Sequence, residues 1–106
     1  MSDDGYGIVM TTFAKMEDAK PLVEKLLSKK LAACVQCLPI QSHYVWKGKV
    51  ENDSEVILLI KTKGNAYREV ENEIKLNHPY ETPEIIQIPI TNGSTEYLGW
   101  IDSNVR

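Results

Sequence analysis

Apolar residues are spaced in two ways along this chain, and the two spacings alternate. Residues 6–12 (Tyr-Gly-Ile-Val-Met-Thr-Thr) form a short, largely apolar block, which predicts a buried strand. The next block predicts a helix, because lysines and glutamates separate the members of an i, i+4 stripe. That stripe consists of Leu22, Val23, Leu26, Leu27 and Leu31. Pro21 falls in the first turn if Asp18 caps this helix, and an earlier start predicts a kink at Pro21.

The middle of the chain predicts a long hairpin. A strand is expected from Ala32 to Trp46, at a sheet edge or with a bulge, because Pro39 has no N–H to donate. Lys47-Gly48-Lys49 opens the hairpin, and Glu51-Asn52-Asp53 is expected to form its polar tip. The returning strand, Glu55 to Lys63, carries apolar residues on both faces, which is typical of an inner strand.

The remaining pattern completes a known strand and helix order. Gly64-Asn65 is expected to start a second helix, Glu84 to Ile90 forms a strand, and Thr95 to about Ser103 forms a short last helix. The order β-α-β-β-α-β with an extra C-terminal helix predicts an α+β, ferredoxin-like fold with an antiparallel sheet. Right-handed crossovers place the first two helices on one face of that sheet.

The length and composition set further limits. A chain of 106 residues with 42% hydrophobic and 25% charged residues predicts one domain over residues 1–106, with residues 1–5 disordered. An apolar sheet face left without helices predicts a homo-oligomer. Net charge −3 with two arginines argues against a nucleic-acid partner. Without a signal peptide or a membrane-spanning apolar run, a soluble cytoplasmic protein is expected.

The segment His78-Pro79-Tyr80-Glu81-Thr82-Pro83-Glu84 concentrates polar chemistry on a stiff backbone. Its two prolines exclude a helix and hold the residues before them, His78 and Thr82, extended. An imidazole, a phenol and carboxylates are thereby fixed next to a strand. The alternative is a rigid helix-to-strand connector whose polar residues have no function.

Several sequence blocks resemble the CutA divalent-cation tolerance family, in order along nearly the whole chain from about Ile8. They are Leu31-Ala32-Ala33-Cys34, Tyr44-Val45-Trp46-Lys47-Gly48-Lys49, Glu55, Lys61-Thr62, the 78–84 segment and Tyr97-Leu98-Gly99-Trp100. The resemblance implies a cytoplasmic homotrimer of ferredoxin-like subunits, in which long hairpins extend the neighbours' sheets. It also implies a link to tolerance of copper and other divalent metals, with no established reaction and no tightly bound cofactor.

His78, Cys34 and Glu84 are the candidate metal ligands. Neutral imidazole suits copper(II) and zinc, a thiolate suits copper(I), and Glu84 or Glu81 could add carboxylate oxygens. The alternative for His78 is a hydrogen-bonded residue that closes the second helix. Cys34 and Cys37 lie three apart on a predicted strand, so they point to opposite faces and are expected to be two buried structural cysteines.

Aromatic and charged residues also predict a small-molecule cleft between subunits. Its candidate members are Lys61, Tyr44, Trp46, Tyr80, Trp100 and Glu81. The alternative is that the aromatic residues are interface anchors. Lys61 either extends to water or meets a carboxylate such as Glu84. His43 is expected at the surface, with no ligand role.

Two functions therefore compete. One is a non-enzymatic trimer that binds divalent cations, particularly copper, weakly. The other is a trimeric signalling or adaptor module, similar in plan to the PII proteins, which binds a small ligand or an unidentified protein partner in the cleft. An enzyme is disfavoured, because no phosphate-cradling arginine loop, G-x-S-x-G or Cys/His nucleophile arrangement is present.

Overall fold

Residues 5–106 are described by a computed structural model of the protein. The elements, in chain order, are strand β1 Tyr6–Phe13, helix α1 Met16–Ser28, strands β2 Cys34–Trp46 and β3 Lys49–Lys63, helix α2 Tyr67–Asn77, strand β4 Ile86–Ile90 and helix α3 Thr95–Asn104. A single 3-10 turn, Gly64–Ala66, leads into α2. The predicted order of elements is confirmed.

Within residues 5–106 the four strands form one sheet in the order β2-β3-β1-β4, and every neighbouring pair is antiparallel. This is the arrangement expected for the split β-α-β plan. The long strand β2 lies at one edge, where Pro39, opposite Val56, loses no sheet partner on its outer side. The edge position predicted from Pro39 is confirmed.

The core lies between one sheet face and the first two helices. Val9 pairs with Ile60 and Phe13 with Val56 in the β1–β3 register, so these side chains share that face. The fully buried apolar residues alternate along the strands and repeat at helical spacing along the helices. They are Val9, Phe13, Leu58 and Ile60 from the sheet, Leu22 and Leu26 from α1, Val70 and Ile74 from α2, and Ile101 from α3. The predicted helix stripes thus supply the core, except that Leu27 is exposed.

The opposite sheet face is apolar but less protected. Ile86 pairs with Met10 and Ile88 with Ile8, which places these four aliphatic side chains together on it. Ile86 and Ile88 are 49% and 46% exposed, and Leu38 on the same face is 53% exposed. A contiguous aliphatic surface of this kind is typical of an interface.

The hairpin differs from its prediction. Its turn is Lys47-Gly48, with φ of 51° and 78°, and Trp46 pairs directly with Lys49. Positive φ at both turn residues suits the right-handed twist of the flanking strands. Glu51-Asn52-Asp53 is therefore not the tip but part of β3, paired with residues 42–44 of β2. These polar residues fit a strand because this half of the hairpin extends into solvent.

Several predicted boundaries also shift. Helix α1 begins at Met16, before Asp18, so Pro21 lies inside the helix and the Glu17 carbonyl lacks its i+4 donor. Strand β4 begins at Ile86 and not at Glu84, because residues 80–82 form a bend and residues 83–85 follow it without pairing in the sheet. The two cysteines are not both buried: Cys34 is half-buried and Cys37 is exposed, since β2 is an edge strand.

The predicted disorder of residues 1–5 falls, apart from Gly5, outside the described residues. The Gly5 carbonyl accepts a hydrogen bond from the Gly64 N–H at 2.8 Å, so this residue is tied to the start of the 3-10 turn. Among residues 5–106, the longest helix has 13 residues, and none has both the length and the apolar character needed to cross a membrane.

Candidate functional site

A cleft of about 670 Å³ lies between the outer half of the β2–β3 hairpin and the connector that follows α2. Its lining combines aromatic rings, carboxylates and small polar groups. These residues are Thr12, Gln41, Ser42, His43, Tyr44, Trp46, Glu55, Tyr80, Glu81, Thr82 and Glu84. The volume and this mixture of apolar surface with a few polar groups are typical of small-molecule sites.

His78 anchors the connector on β1. It ends α2 with an extended backbone, φ −103° and ψ 133°, as a residue before proline should. The Thr12 carbonyl oxygen lies 2.6 Å from Nε2, and Nδ1 accepts the Tyr80 N–H at 3.1 Å. This pattern assigns the neutral ring with its proton on Nε2. The imidazole also stacks on Phe13, with ring centroids 4.1 Å apart.

Tyr80 is positioned by this anchor and forms one wall of the cleft. Its hydroxyl donates to Glu55 Oε2 at 3.2 Å, which ties the connector to β3. Burial and the neighbouring Glu55 carboxylate both raise the pKa of the Tyr80 phenol, because both disfavour the phenolate. The phenol therefore stays protonated and can keep donating to Glu55.

Tyr44 occupies the hairpin side of the cleft in a similar arrangement. Its hydroxyl donates to Asp53, which lies diagonally across the β2–β3 ladder on the same face. This hydrogen bond is the main reason that the pKa of Tyr44 is raised to about 12, and the charges of Asp53, Glu51 and Glu55 add to it. The hairpin half of the cleft is thus strongly electronegative.

Within residues 5–106, the carboxylates of the cleft form no salt bridge with a lysine or arginine. Neither lysine nor arginine is among its lining residues, and Glu55, Glu81 and Glu84 take part in none of the salt bridges formed within residues 5–106. Uncompensated carboxylates around a concave surface attract cations and repel anions. A small anion is therefore a poor match for the charge of this cleft.

The structure does not bring the three candidate metal ligands together. Both ring nitrogens of His78 are already hydrogen-bonded, as the helix-closing alternative predicted, so a metal ion must displace one of these bonds. Cys34 pairs with Lys61, whereas Thr12, which holds His78, pairs with Ile57, about 13 Å further along β3. Over the described residues, no three His, Cys, Asp or Glu side chains are grouped closely enough to hold an ion.

The six predicted cleft residues separate into two groups. Tyr44, Trp46, Tyr80 and Glu81 line the cleft, as does the candidate metal ligand Glu84. Lys61 and Trp100 do not line it within the single chain, and their assignment to a cleft between subunits stays a prediction. Lys61 lies near the C-terminal end of β3, and Trp100 lies on α3.

Lys61 instead belongs to a cluster with α3. Its ammonium lies 3.3 Å from the Tyr97 hydroxyl and 5.4 Å from the centroid of that ring. The Tyr97 and Trp100 rings are 5.6 Å apart. One expectation was that Lys61 meets a carboxylate such as Glu84. Within the chain it contacts the Tyr97 phenol instead, because α3 packs beside the end of β3.

Sequence reasoning missed Glu55 and His43 as cleft residues. Glu55 stood in a block quoted for the family resemblance, and a charged residue directly before an apolar run is a signal that could have placed it at the cleft. His43 is exposed, as expected, and it also lines the cleft. Alternation along β2 places it on the opposite face from Tyr44, so the strand pattern did not indicate a position in the cleft.

The fold and the cleft define a ferredoxin-like α+β protein with an acidic, aromatic site outside its core. The family model described as "CutA1 divalent ion tolerance protein" matches residues 7–104. The chain belongs to this family. The resemblance drawn from the sequence blocks is confirmed.

Individual relatives agree over the full domain. The divalent-cation tolerance protein CutA of Archaeoglobus fulgidus is 41% identical over 101 residues, which cover 95% of this chain and 99% of the relative. Protein CutA, chloroplastic, of Arabidopsis thaliana is 41% identical over 93% of this chain and 55% of its own length. A solved structure, described as the periplasmic divalent cation tolerance protein CutA of Archaeoglobus fulgidus, superposes with a TM-score of 0.92 at 40% identity, over 95% of this chain and 99% of the other.

Proposed function

We propose that this protein contributes to divalent-cation tolerance as a non-enzymatic homotrimer that binds metal ions, particularly copper, weakly. The observation that carries the proposal is family membership over nearly the whole domain, with relatives named for divalent-cation tolerance. The alignment covers 99% of the Archaeoglobus relative.

The exposed aliphatic sheet face supports self-association. Burying Ile86, Ile88 and Leu38, each about half exposed in the single chain, removes apolar surface from water. The outer edges of β2 and β4, which pair with no other strand of residues 5–106, offer backbone groups to neighbouring chains. Light scattering that returns three times the 12.0 kDa chain mass supports the trimer, and a folded monomer contradicts it.

Weak metal binding fits the scattered donor set. A tight site needs several convergent ligands, and none is grouped within residues 5–106 of one chain. Calorimetric titration with copper(II) on untagged protein, beside His78→Ala and Glu84→Gln, tests which residues take part. Unchanged binding in both variants removes both residues from the site, and no binding to the wild type contradicts direct copper binding.

A second function, a PII-like trimeric module that binds a small ligand or a partner protein, is favoured by the cleft itself. Four of the six predicted ligand residues line one concave surface of about 670 Å³. Native mass spectrometry of the purified protein, compared with Glu81→Gln, tests for a retained ligand. A ligand lost in the variant supports this function, whereas identical spectra without any adduct count against it.

Cytoplasmic location remains a prediction of the sequence. The solved Archaeoglobus relative is described as periplasmic and the Arabidopsis relative as chloroplastic, so members of the family are placed in different compartments. Cell fractionation with an antibody to this chain is the direct measurement. Recovery in a membrane or exported fraction would contradict the prediction.

A further inference from the structure

We propose that the cleft binds a small organic cation, an alkylamine or guanidinium compound, between its carboxylates and its aromatic rings. This inference rests on the second candidate function, ligand binding in the cleft, and names the class of ligand. It is independent of whether the protein binds metal.

The first argument is charge. Glu55, Glu81 and Glu84 line the cleft without a lysine or arginine among the lining residues, although elsewhere in residues 5–106 lysines and arginines pair with Glu17, Glu69, Glu71, Glu73 and Asp102. The negative field is also felt by two phenols on opposite walls, since carboxylates help to raise the pKa of both Tyr44 and Tyr80. A bound cation would reduce the repulsion between the carboxylates that line the cleft.

The second argument is the aromatic surface. In the single chain Trp46, Tyr44 and Tyr80 are 51%, 40% and 39% exposed, so within one subunit parts of their rings face the cleft uncovered. The faces of Trp and Tyr rings attract ammonium and guanidinium groups. The chain already uses this attraction at the hairpin turn, where the Lys47 ammonium lies 5.9 Å from the centroid of Trp46.

The third argument separates an organic cation from a metal ion. A divalent metal needs three or more donors within bonding distance of one point, and the His, Cys, Asp and Glu side chains of residues 5–106 form no such group. Carboxylates spread around a cleft can instead each meet a different N–H of an elongated ligand. The methylene chain between two amino groups would then cover the rings and lose its contact with water.

The test is a calorimetric titration with putrescine, using butanediol as the neutral isostere and succinate as the anion of similar length. We expect putrescine alone to bind, and more weakly as salt rises, because the carboxylates are partly exposed. In a Trp100→Phe background Trp46 is the single tryptophan, so its fluorescence should change on binding. Equal binding of butanediol, or a fluorescence change with succinate, overturns the proposal.

Matched variants locate the site. Glu55→Gln/Glu81→Gln keeps side-chain shape and the acceptor for the Tyr80 hydroxyl, and it should weaken putrescine binding about tenfold, since each exposed ion pair contributes up to ~1 kcal/mol. Trp46→Leu should weaken it about threefold. The control Glu24→Gln/Glu96→Gln removes the same charge from exposed positions on α1 and α3 and should leave affinity unchanged. Equal losses in both double variants overturn the proposal, because they would report net charge alone.

The outcomes also separate this inference from the function on which it rests. Succinate or butanediol binding that Glu81→Gln abolishes would leave a ligand-binding cleft but reject the cationic class. No binding of any of the three compounds rejects the inference, and a cleft closed by a neighbouring chain would give that result. Copper titration of the same samples judges the metal proposal separately.

Discussion

The imidazole of His78 and the backbone of Thr12 are joined by a 2.6 Å hydrogen bond between Nε2 and the carbonyl oxygen. This bond connects the residue after α2 to the end of β1, 66 positions earlier in the chain. Because Nδ1 also accepts the Tyr80 N–H, the same ring fixes the first turn of the connector. The wall of the cleft that Tyr80 forms is thus held in place by the end of β1 through His78.

Replacing His78 should therefore lower stability more than its partial exposure suggests. His78→Ala removes a hydrogen bond to a buried residue and the stacking on Phe13, and we expect the free energy of unfolding to fall by about 2–3 kcal/mol. Urea denaturation at one fixed protein concentration measures this. The exposed His43→Ala is the control and should change stability by less than about 0.5 kcal/mol. Equal effects would mean that the imidazole bonds contribute nothing.

The Tyr44–Asp53 pair predicts a specific dependence on alkaline pH. The pKa of Tyr44 rises from 10.0 to about 12, so the folded state favours the protonated phenol. Its contribution to stability is complete below pH 10 and is lost as pH rises from 10 to about 12. Difference absorbance titration of wild type against Tyr44→Phe isolates this phenol among the five tyrosines.

Asp53→Asn should lower the pKa of Tyr44, because the hydrogen bond to Asp53 is the main cause of the shift. Asp102→Asn is the matched control, since Asp102 pairs with Lys63 and does not contact Tyr44. An unchanged titration in Asp53→Asn would show that the hydrogen bond does not persist in solution.

Replacing Gly48 and Gly99 with alanine should change the stability of the protein in opposite directions. Gly48 has φ of 78° in the hairpin turn, so Gly48→Ala should destabilise by about 1–2 kcal/mol. Gly99 lies within α3, where an added methyl group meets nothing within 4 Å, and Gly99→Ala should stabilise by up to about 1 kcal/mol. Thermal unfolding of both variants checks this. A stabilising Gly48→Ala would contradict the two-residue turn.

The ion pair between Lys29 and Glu73 joins α1 to α2 with one partner buried. The Glu73 side chain is 9% exposed and that of Lys29 is 50% exposed. Lys29→Met leaves a buried carboxylate without its cation and should cost about 1–2 kcal/mol, reduced from the fully buried case by solvent screening. Lys75→Met, which removes the more exposed partner of Glu71, should cost no more than about 0.5 kcal/mol by denaturation.

The aliphatic sheet face predicts how association can be broken. Ile88→Lys places a charge among the apolar residues of that face and should shift the mass seen by light scattering toward the single chain. Leu76→Lys changes an equally apolar residue that is 79% exposed on α2 and should leave the mass unchanged. If Leu76→Lys alone dissociates the assembly, the interface lies on the helices.

The element order followed from local patterns that the fold preserves. The i, i+4 stripe of α1 and the apolar run of β3 are properties of neighbouring residues. They placed Leu22, Leu26, Leu58 and Ile60 in the core correctly, although Leu27 of the stripe is exposed. The hairpin tip was misplaced because Glu51-Asn52-Asp53 is polar in the manner of a turn. Lys47-Gly48 forms the turn instead, since cross-strand pairing of residues 42–46 decides the register.

The site was predictable only in part. The prolines of the connector indicated a stiff segment, and Tyr80, Glu81 and Glu84 do line the cleft. Lys61 and Trp100 were grouped with them because all are charged or aromatic residues in family blocks. Their actual position beside Tyr97 depends on where α3 packs, which no residue spacing specifies.

The sequence alone determined the order of strands and helices, the antiparallel β-α-β-β-α-β plan and the family, and it limited β2 to a sheet edge or a bulge. These depend on periodicity, on the missing N–H of Pro39 and on short motifs, all of which are local. Tertiary structure decided that His78 is held by Thr12 and that Glu55 faces Tyr80. It also gathered carboxylates in a cleft that no lysine or arginine of residues 5–106 lines. Those relationships join residues far apart in the chain, and they exist only once strand register and helix packing bring them together.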